Sequence, residues 1–221
     1  MSVEARAWVS VGWTGVVAAL LAAGSVSLLD PVAGCTFVLA LGFLAYSIRS
    51  VFRALSLRAM SRWATAMGCL PVGPAALDWP WQNLQLQGNS QVKYAWSGDI
   101  EGLPVTFGEI RWSGGALSGA VLDRDGKGIF VVVGLPQTQP PMAARLPYTF
   151  IGDSPRLEQP AVRHAFRTME VPPFTVRNTE LFTVEARDAA LEPGAAYRAI
   201  RRALLVVQLL DIGPDRPQVV A

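Results

Sequence analysis

Few side chains in this sequence combine the type and spacing that catalysis needs. Gly152-Asp153-Ser154 follows an apolar stretch, the arrangement that opens one class of serine esterases. A serine nucleophile needs a base within hydrogen-bond reach. The single histidine, His164, lacks the Asp-x-x-His context that supplies that base, and it reads as a surface or capping residue. A turn capped by Asp153 or Ser154 and locked by Pro155 accounts for the same residues. Asp123-x-Asp125 has the start of a calcium loop, but Lys127 stands at the third ligand position and no glutamate closes it. Gly114-Gly115 lacks the Lys-Ser/Thr of a phosphate loop. Glu109 and Glu185 could form an acid pair only if the fold brings two separate strands together. Cys69 has no basic neighbour in sequence and reads as a small buried residue, not a nucleophile. The expectation is a protein without catalytic, metal or cofactor residues, hence not an enzyme. A hydrolase of the Gly-Asp-Ser type is the least favoured alternative.

The elements that would position these residues begin with an anchor. Residues 7–29 carry no charge, and a second uncharged run covers 31–48. A spanning helix needs about 20 apolar residues, so residues 1–53 are expected to form a transmembrane helical hairpin turning at Asp30-Pro31-Val32-Ala33-Gly34. A cleaved signal peptide ending near Ala23-Gly24-Ser25 is the rival, but the apolar stretch is longer than such a peptide requires. Of 19 basic and 17 acidic residues, the first 62 positions hold five arginines against Glu4 and Asp30. That balance of +3 leaves −1 for the rest of a chain whose net charge is +2. Arg49, Arg53, Arg58 and Arg62 all follow the second run, and the positive-inside rule then puts both termini in the cytoplasm, at the inner membrane. A near-neutral remainder argues against nucleic acid, which needs a basic face.

Residues 54–74 are expected to be a juxtamembrane amphipathic helix and linker. Phe52, Leu55, Ala59, Trp63, Ala66 and Leu70 share a stripe flanked by the arginines. Such a stripe lies in a membrane interface, where Trp8, Trp63 and the four arginines would meet lipid, or it packs on the protein's own domain. Leu70-Pro71-Val72-Gly73-Pro74 would end the helix.

Residues 75–221 then read as a cytoplasmic α+β domain. Val92, Tyr94 and Trp96 alternate with polar neighbours, Glu101-Gly102 is a turn, and residues 105–112 form the return strand, with a bulge at Gly108. Residues 129–133 are a central apolar strand, 148–151 another, and 174–177 with 181–186 a late hairpin through Asn178-Thr179. Pro193 opens a last helix to about Leu210, with Tyr197, Ile200, Ala203, Leu204 and Val207 on one face. Its second half is apolar nearly all round and needs burial by the sheet or by a partner, so Leu205 and Leu209 are partner-contact candidates. Trp79 and Trp81 are either core fillers or a contact site. Antiparallel strands closed by a C-terminal helix match the element order of a pleckstrin-homology-like domain, an analogy of layout alone.

Residues 94–105, then Gly108-Glu109-Ile110 and Val184-Glu185-Ala186-Arg187, resemble a bacterial membrane-anchored family in which two N-terminal helices precede a cytoplasmic domain of unknown function. The resemblance covers residues 90–210 and implies no activity. The reading is a non-enzymatic membrane-anchored accessory or scaffold protein whose domain binds another membrane protein or complex, or a second copy of itself. The alternative is a membrane-proximal module that binds a lipid headgroup or small ligand.

Overall fold

The computed structural model describes residues 31–73, 79–81, 88–114 and 125–214, with side chains from residue 39 onward. The expected first spanning helix, Trp8, Asp123 and the Cys35 side chain lie outside that description. The chain divides into two compact units, Met1–Ala59 and Met60–Ala221.

Helix α1 runs from Pro31 to Ala66, 36 residues without a break. This corrects the expected turn from Pro31 onward: proline's fixed φ and missing N–H suit the first turn of a helix, so Pro31 starts one. A helix of that length spans roughly 54 Å at 1.5 Å per residue, more than the ~30 Å of a bilayer's hydrocarbon. Its segment Leu39–Ala66 is long and apolar enough to cross a membrane. Within the described residues one helix meets that test, and the two-helix hairpin is not shown. Leu39, Tyr46 and Phe52 expose 72%, 71% and 65% of their surface.

The second unit is an antiparallel sheet with helices. Its strands among the described residues are β1 (Leu70–Val72), β2 (Asn89–Ile100), β3 (Leu103–Ser113), β4 (Gly126–Arg145), β5 (Thr149–Ile151) and β6 (Phe174–Ala186). They lie in the order β1-β2-β3-β4-β5, with β6 on the other edge of β4. A 3-10 turn, Pro155–Glu158, and a short helix α2, Pro160–Arg167, precede β6; α3, Pro193–Leu209, follows it. This is the expected α+β arrangement of N-terminal helix, antiparallel sheet and C-terminal helix. No strand pairing among the described residues closes the sheet into a barrel.

Local chemistry explains the hairpin that was legible. Glu101 and Gly102 both have positive φ, 56° and 79°, the two-residue turn that matches strand twist. Asp99 Oδ1 accepts the Gly102 N–H at 3.0 Å and fixes it. The bulge sits elsewhere than expected: the register shifts between Val92 and Tyr94, on β2, not at Gly108 on β3. Gly108 is instead the residue that lets β2 approach, because a Cβ there would come within 1.9 Å of the Tyr94 carbonyl oxygen.

Three further expectations are corrected. Leu70–Val72 is not linker but an edge strand pairing with residues 95–97 of β2. Gly98 permits this, since a Cβ would strike Cys69 Sγ at 2.7 Å. Residues 174–186 are one strand, not a hairpin. Asn178 does adopt the left-handed conformation, with φ 54°, but it serves a break in register against β4 rather than a reversal. Helix α2 was not foreseen, although Pro160 at its start and Val162, Ala165 and Phe166 at helical spacing, all buried, form its signal.

Alternation divides the sheet's side chains between two faces, and both are covered, which is why residues 129–133 are buried without interruption. One face carries Ile110, Trp112, Phe130, Val132, Phe182 and Val184, and Trp79 and Trp81 pack onto it. The other carries Trp96, Phe107 and Ile129, and α3 lies against β3, β4 and β6.

Candidate functional site

A wide opening in the second unit follows from proline. β4 outruns β3, whose pairing ends at Val105 opposite Val133. Beyond that point β4 carries Pro136, Pro140 and Pro141, none with an N–H to donate, and its register with β6 slips on either side of Gln139. The strands part there. The C-terminal half of α3 crosses the gap and leaves a cleft of about 840 Å³.

Its lining is mixed. Leu103, Leu204 and Val207 make an apolar floor, and Gln137, Gln208 and Asp211 supply polar rim. Gln139, only 8% exposed, accepts a hydrogen bond from Arg156 Nη1 at 2.7 Å. Arg156 makes no ion pair among the described residues, whereas Glu101 across the cleft is paired with Arg201 of α3. The arrangement offers donors, acceptors and one uncompensated cation above an apolar base, in a volume typical of small-molecule sites. It brings together no nucleophile and base.

The middle of α3 is held by charge. Arg202 donates to Glu185 on β6, and also to the backbone oxygens of Glu170 at 3.1 Å and Met169 at 2.7 Å. One guanidinium thus ties α3 to β6 and to the turn after α2. Burial pushes the Glu185 carboxyl above the usual glutamate range, and the attraction of Arg202, Arg187 and Arg198 offsets only part of that. Glu109 is not its partner. Both stand opposite Ile129, on either side of β4, two strand spacings or roughly 10 Å apart. Glu109 instead faces Arg111 at 3.8 Å.

The remaining sequence candidates are placed as follows. Trp79 and Trp81 are 5% and 1% exposed, stacked at 5.3 Å, with Trp81 edge-on to Phe130 at 5.1 Å. They are core, and the contact-site reading is corrected: the sheet's aromatic face needs a cover, and this segment provides it. Trp63 is half-buried and packs on Phe107, with Met60 and Ala64 fully buried beside it in sequence. The buried face of the α1 end is therefore Met60, Trp63 and Ala64, not the longer stripe, whose Phe52 and Leu55 are exposed. Arg49, Arg53 and Arg62 are exposed and Arg58 half-buried, and none of the four forms an ion pair among the described residues. Leu205 and Leu209 are half-exposed, on the outside of α3. Tyr197 departs from its expected face and is 49% exposed.

Ser154 is buried but makes no capping hydrogen bond through its side chain. His164 is exposed on α2, and no hydrogen bond joins the two. Asp125 Oδ1 accepts the Gly114 N–H at 2.7 Å, a loop-closing role. Cys69 is fully buried, which pushes its thiol up and away from thiolate chemistry. The cleft and the Glu185 cluster were missed by sequence reasoning. The prolines of β4 were the available signal for the first; nothing local marks the second.

Comparison with known proteins adds little. No protein-family model matches the chain. No curated protein matches it. The crystal structure of the mycobacterial trehalose monomycolate transport factor A, TtfA, is similar over 73% of this chain and 97% of that chain, with a TM-score of 0.48 and 9% sequence identity. Likeness at that level assigns neither family nor function.

Proposed function

We propose that this is a non-enzymatic, membrane-anchored accessory protein whose second unit binds another membrane protein or a second copy of itself. The observation that carries this reading is the exposed apolar surface of α1, at Leu39, Tyr46 and Phe52, in a segment long and apolar enough to span a bilayer. The two-helix hairpin, both termini in the cytoplasm and the inner-membrane location belong to the proposal, and they rest on the uncharged run 7–29 and on the arginines that follow residue 48. Leu205 and Leu209, left half-exposed on α3, are the contact candidates that stay accessible. Capture of the tagged full chain in mild detergent should recover a membrane-protein partner or a dimer, and Leu205→Asn/Leu209→Asn should lose it while retaining the fold. Repeated recovery of the wild-type chain as a lone monomer overturns the reading.

A second reading is supported by Arg49, Arg53, Arg58 and Arg62, which lack protein counter-charges among the described residues. Guanidinium groups after an apolar helix attract anionic lipid headgroups, each contributing about 1 kcal/mol. In this reading the unit is a membrane-proximal headgroup-binding module.

A further inference from the structure

Where α3 begins, a pocket of about 170 Å³ opens between the helix and the end of β6. Ala195 and Ala199 on the helix and Ile129 and Ala186 on the sheet leave the space by having short or inward side chains. Four charged groups line it: Glu185, Arg187, Arg198 and Arg202. Glu185 and Arg202 neutralise one another, and all of the hydrogen bonds shown for Arg202 go to Glu185, Met169 and Glu170.

That leaves two cations in excess. Arg198 forms no ion pair with any described residue. Arg187 reaches Glu192 only at 4.0 Å, the outer limit of a contact, and its Nε is buried without a hydrogen-bond partner. Lys127 lines the adjoining space together with Arg187, Ile129 and Glu109; Glu109 pairs with Arg111 at 3.8 Å, and Lys127 forms no ion pair among the described residues. One acceptor is also unsatisfied: Glu185 Oε1 is buried and makes no hydrogen bond. Leaving a buried donor or acceptor unmet costs more than a typical hydrogen bond contributes.

The geometry points to a binding site for a hydroxylated phosphate ester, of which glycerol phosphate is the simplest. The anionic oxygens would sit between Arg187 and Arg198, with Lys127 behind Arg187, as guanidinium pairs do with phosphate. A hydroxyl beside the phosphate would donate to Glu185 Oε1, which simple inorganic phosphate cannot do as well. The volume is that of about five or six waters at roughly 30 Å³ each, enough for this headgroup. The ester could be a free metabolite or the headgroup of a phosphatidylglycerol lipid. The site is separate from the proposed partner surface, so a protein that purifies alone would still bind.

The test uses the full chain in nanodiscs of phosphatidylcholine, titrated calorimetrically with glycerol phosphate and, separately, with inorganic phosphate. Saturable binding is expected, several-fold tighter for glycerol phosphate. Arg187→Gln/Arg198→Gln should weaken it at least tenfold, Lys127→Gln a few-fold, and Arg177→Gln, at an exposed position on β6 outside the pocket, not measurably. Should the double variant fail to fold, Arg198→Gln alone, at an exposed residue, should still weaken binding several-fold. Phosphatidylglycerol doped into the nanodiscs will compete with the soluble ester if the lipid is the source and leave it unchanged if the source is free. No saturation with wild type, equal binding by the folded variants, or an equal loss in Arg177→Gln overturns the assignment.

Discussion

Trp63, three residues before the end of α1, lies edge-on against Phe107 in the middle of β3, ring centroids 5.7 Å apart and planes at 68°. Phe107 in turn stacks on Trp96 of β2 at 6.0 Å. The last turns of the helix are therefore part of the sheet's packing. Of the two roles open to Trp63 from its sequence position, the contact supports packing on the protein's own domain.

Trp63→Ala should then destabilise the second unit by about 2 kcal/mol, less than for a fully buried tryptophan because Trp63 is only half-buried. Trp63→Phe should restore most of it. Chemical denaturation followed by circular dichroism checks this. A loss of membrane affinity with unchanged stability would return Trp63 to the interface role.

Two glycines should behave differently under the same substitution. Gly108→Ala drives a Cβ into the Tyr94 carbonyl oxygen and should cost about 3 kcal/mol. Gly102→Ala meets open space and bears only the strain of its φ of 79°, about 1 kcal/mol. The comparison of their denaturation midpoints separates backbone crowding from turn strain. Equal losses would mean that the close approach of β2 and β3 is wrong.

Glu185 gives stability an unusual dependence on pH. Its carboxyl binds a proton more tightly folded than unfolded, so its contribution is fully present below the ordinary glutamate value of 4.5 and is lost as pH rises through the folded value. Glu180, on the same strand and also raised by burial, acts in the same direction. Glu185→Gln should flatten the slope of stability against pH above 4.5. Thermal melts of both proteins across pH 4 to 8, roughly the window in which the linkage acts, would show this; parallel curves would contradict it.

The four arginines of α1 provide the test of the lipid reading. Replacing Arg49, Arg53, Arg58 and Arg62 with glutamine should reduce association of residues 49–221 with phosphatidylglycerol vesicles at least tenfold at low salt, since each exposed cation contributes about 1 kcal/mol near an anionic surface. Unchanged co-sedimentation removes that reading and leaves the partner reading intact.

Some of the fold could be read locally. The β2–β3 hairpin announces itself because its turn needs two residues at positive φ, and Glu101-Gly102 provides them with Asp99 as a brace. Helix α3 is visible from Pro193 and the spacing of Ile200, Ala203, Leu204 and Val207, all of them buried. Asn178 misleads for an equally physical reason. A left-handed residue between two apolar runs suits a reversal and a break in register equally well, and only the length of β4 beside it chooses. Leu70–Val72 misleads because three residues with a proline carry no strand signal; their pairing depends on Gly98, almost thirty residues away.

The same division holds for the anchor and the site. Sequence alone determined the apolar runs, the arginines beyond them and the α+β class, because hydropathy, charge and periodicity act over a few neighbouring residues. Tertiary structure alone decided that Trp79 and Trp81 cover a sheet face, that Glu109 and Glu185 stand on opposite sides of β4, and that Glu185, Arg187 and Arg198 converge beside α3. Those outcomes depend on strand order and register, which bring together residues that no local pattern connects.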